Sequence, residues 1–240
     1  MKQNVIILAV GLSGSSVLAG LISRAGYSVG ENTFEKLDYN TFENAELVRL
    51  NKQLLEIAGI GEDFTIEYRQ EYADKMKALY GRIDDSEFRA FIAHCDNNQP
   101  WLWKDPRLSI TMHFWKHMLN LNCTKFIVND RDPVQAWISW TIRRQIQTFS
   151  YSKRYSDLVI GSITSLLNEQ GLDHIKVRYE DLVCRPETTI VNINKFLGCR
   201  LTLTDLDKVY KGKLRRKTHG FSSFAKASLI YLKNYNQRYA

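Results

Sequence analysis

The chain has 240 residues, 33 of them basic and 26 acidic, with 44% hydrophobic and 12% aromatic residues. Such a chain buries roughly three quarters of its unfolded surface without a disulfide or metal staple, and its composition excludes collagen, coiled coil and bulk disorder. The net charge of +7 is segregated. Residues 1–120 carry −3 and residues 121–240 carry +10, with no acidic residue after Asp207 and six cations between Lys208 and Lys217. That pattern favours an anionic partner and leaves open whether it is a nucleotide, a polysaccharide, a membrane surface or a nucleic acid.

In chain order, Val5 to Val10 is a short apolar run rich in β-branched residues, which predicts a strand buried on both faces. The cluster Gly11-Leu12-Ser13-Gly14-Ser15-Ser16 then opens a helix through Ala25. This polar cluster interrupts the apolar stretch Val5–Ile22, so the stretch is read as neither a membrane span nor a signal peptide. Leu47, Leu50, Leu54 and Ile57 recur at helical spacing within residues 43–58, and Tyr68, Tyr72, Met76 and Leu79 repeat the pattern. A third helix starts near Ser86 and ends at Asp96-Asn97-Asn98. Trp101-Leu102-Trp103 is the second expected strand, followed by a helix to about Leu119. Lys125–Val128 is the third, with Pro133 in the first turn of a helix running toward Gln147. A helix near residues 157–170, a strand at Ile175–Tyr179 and a helix from Pro186 to the stop at Gly198 follow. Phe224, Leu229, Ile230 and Leu232 suggest a final docking helix. Strands alternating with helices imply an α/β fold with a central parallel sheet flanked by helices, in one domain over 1–240 that carries a helical insertion at about 33–95 on the acceptor side.

Cys95, Cys123, Cys184 and Cys199 form no C-x-x-C and have no histidine at ligand spacing, so no metal site is expected and a reducing, cytoplasmic setting is. His113 and His117 lie i, i+4 on one helix face without a third ligand and are read as packing or surface residues. His94 precedes a loop near the second strand and has no assigned role.

In an open parallel sheet the ligand crevice lies at the carboxyl ends of the strands. Here those ends carry the Gly/Ser loop, then Lys104-Asp105-Pro106-Arg107, then Arg131 with Ser139 eight residues on. Backbone N–H groups and hydroxyls at a helix start make a phosphate cradle. Each element has a plainer reading: a tight turn, a solvated loop paired with Asp105, a carbonyl cap, a helix serine. Their common placement at successive strand ends favours a phosphate site. No Lys precedes Ser15 or Ser16, so the loop lacks the G-x-x-x-x-G-K-[ST] pattern of nucleoside-triphosphate kinases.

With these residues in view, the sequence resembles the sulfotransferases that use 3'-phosphoadenosine 5'-phosphosulfate (PAPS), in particular their bacterial carbohydrate-type branch. The resemblance covers most of the chain. It rests on Val5–Ile22, on Trp101–Arg107, on Arg131-Asp132-Pro133 with Ser139, and on Val177-Arg178-Tyr179-Glu180-Asp181-Leu182 with Arg185-Pro186. It implies a P-loop nucleotide-kinase-like sulfotransferase fold and metal-free, in-line sulfuryl transfer to a hydroxyl, expected on a carbohydrate or glycoconjugate, with the 3',5'-bisphosphate PAP as product. Ser13, Gly14, Ser15 and Ser16 would hold the 5'-phosphosulfate, and Arg131 and Ser139 the 3'-phosphate. Arg215 and Arg216, within Lys211–Lys217, match the late basic loop by position. One departure stands out: the family's Arg or Lys before the Ser-Gly pair is Leu12 here. Lys104 is the expected substitute cation and Asp105 the candidate base. A PAP- or PAPS-binding protein without turnover and a P-loop-like small-molecule kinase are the alternatives. Neither nucleic-acid binding nor a transmembrane segment is expected.

Overall fold

The computed structural model describes residues 2–36, 39–61, 67–209 and 220–239. Four parallel strands, β1 (Asn4–Ala9), β4 (Leu102–Lys104), β5 (Thr124–Asp130) and β6 (His174–Arg178), form a sheet in the order β4-β1-β5-β6. Register places Ile7 beside Lys104 and Ile127, and Asn129 beside Ala9 and Val177. The carboxyl ends of all four strands therefore open on one rim.

Strand alternation divides the core. Ile6 and Leu8 point to one face, where α2 (Ala45–Ile57), α4 (Ser86–Asp96), α5 (Leu108–Trp115) and α7 (Phe149–Glu169) close over a cluster that includes Phe88, Trp103 and Trp115. Val5, Ile7 and Ala9 point to the other, against α1 (Ser15–Ser23), α8 (Tyr179–Cys184) and α9 (Pro186–Leu197). Trp137 and Ile138 of α6 (Pro133–Ile142) form a third, smaller cluster with Ala227 of α11 (Phe221–Lys233). The remaining helices are α3 (Glu71–Leu79) and α10 (Leu203–Val209).

Three expectations needed correction. The segment 33–95 opens with an antiparallel hairpin, β2 (Thr33–Lys36) and β3 (Tyr39–Asn44), before its helices. The next helix begins at Ala45 rather than Glu43, capped by Asn44, whose side chain accepts from the backbone N–H groups of Glu46 and Leu47. The helix from Pro133 stops at Ile142, where Arg144 turns the chain with φ 63°, and α7 starts at Phe149 with Thr148 as its cap. The segment Lys211–Lys217, with Arg215 and Arg216, lies outside the described residues. Among the described residues no helix is long and apolar enough to cross a membrane. The apolar start of the chain is β1 followed by α1, and all four cysteines are free thiols.

His113 and His117 part company in the structure. His117 stacks on the Tyr80 ring, with centroids 4.7 Å apart. His113 is buried, neither ring nitrogen has a partner among the described residues, and burial pushes its pKa down from 6.5 to about 4. An unfolded chain takes up that proton below about pH 6.5. Its stabilising effect is thus complete above pH 6.5 and is lost as pH falls toward 4. The expected outcome is that His113→Phe removes a slope of about one proton, about 1.4 kcal/mol per pH unit, from the acid limb. Urea unfolding from pH 7 to pH 4.5 measures it, and an unchanged slope would assign the acid limb to other groups.

Candidate active site

The loop between β1 and α1 is positioned by side chains that hold its carbonyl oxygens. Arg131 Nη1 donates to Leu12 O at 2.7 Å, and Trp140 Nε1 to Gly11 O at 3.2 Å. Asn129 Nδ2 donates to both Ser13 O and Ser13 Oγ, at 3.0 and 2.9 Å. With these acceptors occupied by β5 and α6, the loop's remaining hydrogen-bonding capacity is donor-rich. Gly14 caps α1 with φ 81°, and no side chain caps the helix and no acidic residue lies in its first turn. The first amides of α1 thus keep their ability to bind an anion.

Gly14 is needed for space as well as for φ. A Cβ there would lie 2.2 Å from the Tyr179 ring. The Arg131 guanidinium also lies over the Tyr179 ring, 4.9 Å from its centroid. The Arg131 guanidinium is largely buried, and its Nε faces Glu180 Oε1 at 3.6 Å without a hydrogen bond among the described residues. Burial pulls the Arg131 pKa down, opposed by Tyr179 and Glu180. A buried cation with an unspent N–H beside an uncapped helix start fits a polyanion such as a nucleotide bisphosphate. Ser139 lies buried two turns into α6, on the helix that begins just after Arg131.

Lys104 reaches this loop from β4. Its ammonium donates to Ser16 Oγ at 3.3 Å, Thr41 O at 3.4 Å and Glu43 Oε1 at 2.5 Å, and its side chain is buried. The hairpin is thereby brought over the loop. Its docking depends on Gly20 in α1, where a Cβ would meet the Phe42 ring at 2.6 Å. Glu43, still partly open to solvent, thus meets the Lys104 ammonium, which also reaches Ser16.

Asp105 has a different setting. It is fully buried, Asn51 Nδ2 donates to Oδ2 at 2.8 Å, and the Arg107 backbone N–H and Nη1 donate to Oδ1 at 3.1 and 2.9 Å. Asn51 Oδ1 accepts in turn from Thr111 Oγ1 and Trp115 Nε1, at 2.7 and 2.8 Å. Desolvation raises the Asp105 pKa, against the lowering effects of Arg107 and Asn51. Sequence reasoning did not single out Glu43 or Asn51, although a polar residue inside the Leu47-Leu50-Leu54 stripe marks Asn51 as a buried hydrogen-bonding group.

No protein-family model and no curated protein matches the sequence. Among solved structures, the sulfotransferase domain of the Synechococcus PCC 7002 olefin synthase superposes with a TM-score of 0.52 and 18% identity. The match covers 94% of this chain and 84% of that one. The sulfotransferase domain of the curacin biosynthetic pathway gives a TM-score of 0.55 at 18% identity, over 94% of this chain and 83% of that one. The chain has the sulfotransferase fold.

Replacing Asn51 by Leu keeps the branching and heavy-atom count of the side chain but leaves Asp105 Oδ2, Thr111 Oγ1 and Trp115 Nε1 short of their shared partner. Asn51→Leu is expected to cost on the order of 3 kcal/mol in urea unfolding. A cost under about 0.5 kcal/mol would show that the network contributes little to stability.

Proposed function

We propose that this chain is a sulfotransferase that moves a sulfuryl group from PAPS to a hydroxyl, on a saccharide or glycoconjugate of the kind served by the bacterial carbohydrate-type enzymes. The observation that carries the reading is the juxtaposition at one rim of the uncapped α1 start and the half-satisfied Arg131. The sulfotransferase fold and the sequence patches support it. The amides and hydroxyls of Ser13, Gly14, Ser15 and Ser16 would receive the 5'-phosphosulfate, and Arg131 with Ser139 the 3'-phosphate, with Arg215 and Arg216 as further cations from sequence. The free thiols of Cys95, Cys123, Cys184 and Cys199 support a cytoplasmic setting.

In this reading the acceptor oxygen attacks sulfur as the bond from sulfur to the phosphate oxygen breaks. Charge then grows on that phosphate oxygen. Lys104, already on Ser16 Oγ, supplies a compact positive charge there, a role Leu12 cannot fill. The acceptor proton goes to a carboxylate, and Glu43 suits this better than Asp105. Glu43 is open to solvent on one side and touches the Lys104 ammonium, whereas both Asp105 oxygens are engaged and buried. Asp105 then serves as the anchor of Arg107 and α5. The competing reading, a binder without turnover, draws on Leu12, whose side chain packs against the core.

Binding and turnover separate the alternatives. PAP at about 100 times its dissociation constant should add about 2.7 kcal/mol of stability, and AMP or ATP with magnesium clearly less at the same concentration. Stabilisation by ATP with magnesium and none by PAP would overturn the reading. With labelled PAPS and a panel of saccharides, Lys104→Ala is expected to lower kcat by about 10²- to 10³-fold. Glu43→Gln should lower it by about 10²- to 10⁴-fold while leaving PAP affinity unchanged. PAP binding with no transfer to any acceptor would favour the binder.

A further inference from the structure

β6 is an edge strand, paired through its length with β5 on one side and with no strand on the other among the described residues. Its outer edge opens on a groove of about 600 Å³, lined by the four successive residues Ile175, Lys176, Val177 and Arg178 and by α9 from Thr189 to Phe196. Residues of both faces line it, Ile175 and Val177 on the α9 side and Lys176 and Arg178 on the other, with Lys125 of β5 and Asp173 at the end where β6 begins, so the groove runs along the strand. The groove is therefore a slot beside unpaired backbone N–H and C=O groups, remote in the sheet order from Lys104 on β4.

The two faces of the slot differ. Ile175 and Val177 belong to the apolar cluster shared with α9, where Phe196 also packs, whereas Lys176 and Arg178 alternate to the opposite face. Most charges around it are already paired: Asp173 with Lys125 at 2.5 Å, Lys176 with Asp130 at 2.8 Å, and Asp181 with Arg185. Arg178 and Lys195 have no carboxylate partner among the described residues, and both are exposed. The groove thus combines an open ladder edge, an apolar floor and an unbalanced positive charge.

We propose that the β6 edge accepts an extended peptide segment of another protein as a fifth strand, one whose side chains alternate between acidic and apolar. Backbone pairing would supply the ladder, acidic side chains would face Arg178 beside the Lys176–Asp130 pair, and apolar ones would lie over Ile175 and Phe196. A second copy of this chain fits poorly. Antiparallel pairing of two β6 strands about a two-fold axis sets Lys176 against Lys176, and like charges opposite one another destabilise a ladder. Lysine on a strand edge is also a common way to discourage pairing. That role predicts rejection of every strand, whereas an acidic-apolar alternation predicts selective acceptance.

The probe is a labelled octapeptide of alternating Glu and Val, with a block peptide of the same composition and an N-methylated version as controls. Fluorescence anisotropy on the full chain should show binding of the alternating peptide, at least about tenfold weaker binding of both controls, and weakening with salt. Hydrogen exchange should slow across residues 174–178 on binding. Arg178→Glu and Lys195→Glu, tested singly so that one folded variant suffices, should each weaken the peptide by about tenfold. Equal binding of the three peptides, no added protection in 174–178, or undiminished affinity in both variants would overturn the proposal. So would a concentration-dependent dimer whose protection maps to β6.

Discussion

Everything at the strand-end rim depends on how the loop carbonyls are held. Backbone of this kind carries equal numbers of donors and acceptors, and an anion site needs the donors alone. Asn129, Arg131 and Trp140 separate them by taking the carbonyls of Ser13, Leu12 and Gly11 from the side of β5 and α6. The amides at the start of α1 are then left without an internal competitor. Gly14 adds the left-handed turn and the clearance for Tyr179, so the loop, the β5 end and the start of α8 are locked to one another. Loss of one contact would loosen all three, because the same arginine touches the loop and the ring.

Charge at the rim is arranged on the same principle. Arg131 and Lys104 are both buried cations, each held beside a carboxylate. Burying them unpaired would cost several kcal/mol each. Glu180 and Glu43 offset that cost from elements outside the loop, one on α8 and one on the hairpin, and they do so unequally: Lys104 has all three N–H groups engaged, whereas Arg131 Nε stays 3.6 Å from Glu180. The Asp105-Asn51-Thr111-Trp115 network is of another kind, since every oxygen named in it has a partner and it joins α2 to α5 beneath the site.

The parallel sheet was legible in the sequence because β1 and the middle of β5 are uninterrupted apolar runs, as strands buried on both faces are, and the edge strand β6 alternates Ile175 and Val177 with Lys176 and Arg178. Val5–Val10, Lys125–Val128 and Ile175–Tyr179 each predict a strand within about a residue or two of its place. The loop and the cationic strand ends followed from position relative to those strands. The hairpin was not legible, since Thr33–Lys36 and Tyr39–Asn44 are polar, short and without clean alternation, and their pairing is tertiary in origin. Glu43 was hidden by that error, because a carboxylate just before a helical stripe reads as part of the first turn. Asn44 was the available signal: as the cap, it places Glu43 outside the helix. Helix ends in the α6–α7 region also escaped, because Arg144 takes a positive φ that its residue type does not advertise.

The hairpin's attachment has a wider consequence. It meets the rest of the chain on α1, β4 and α2: Phe42 lies on Gly20, Thr41 and Glu43 on Lys104, and Asn44 caps α2. The sheet and the loop do not need it for their own hydrogen bonds. A module whose contacts leave the ladder of the sheet untouched can lengthen or change in sequence while the strand-end rim keeps its geometry. The hairpin could therefore change what the open side of the rim meets without altering the loop that Asn129, Arg131 and Trp140 hold.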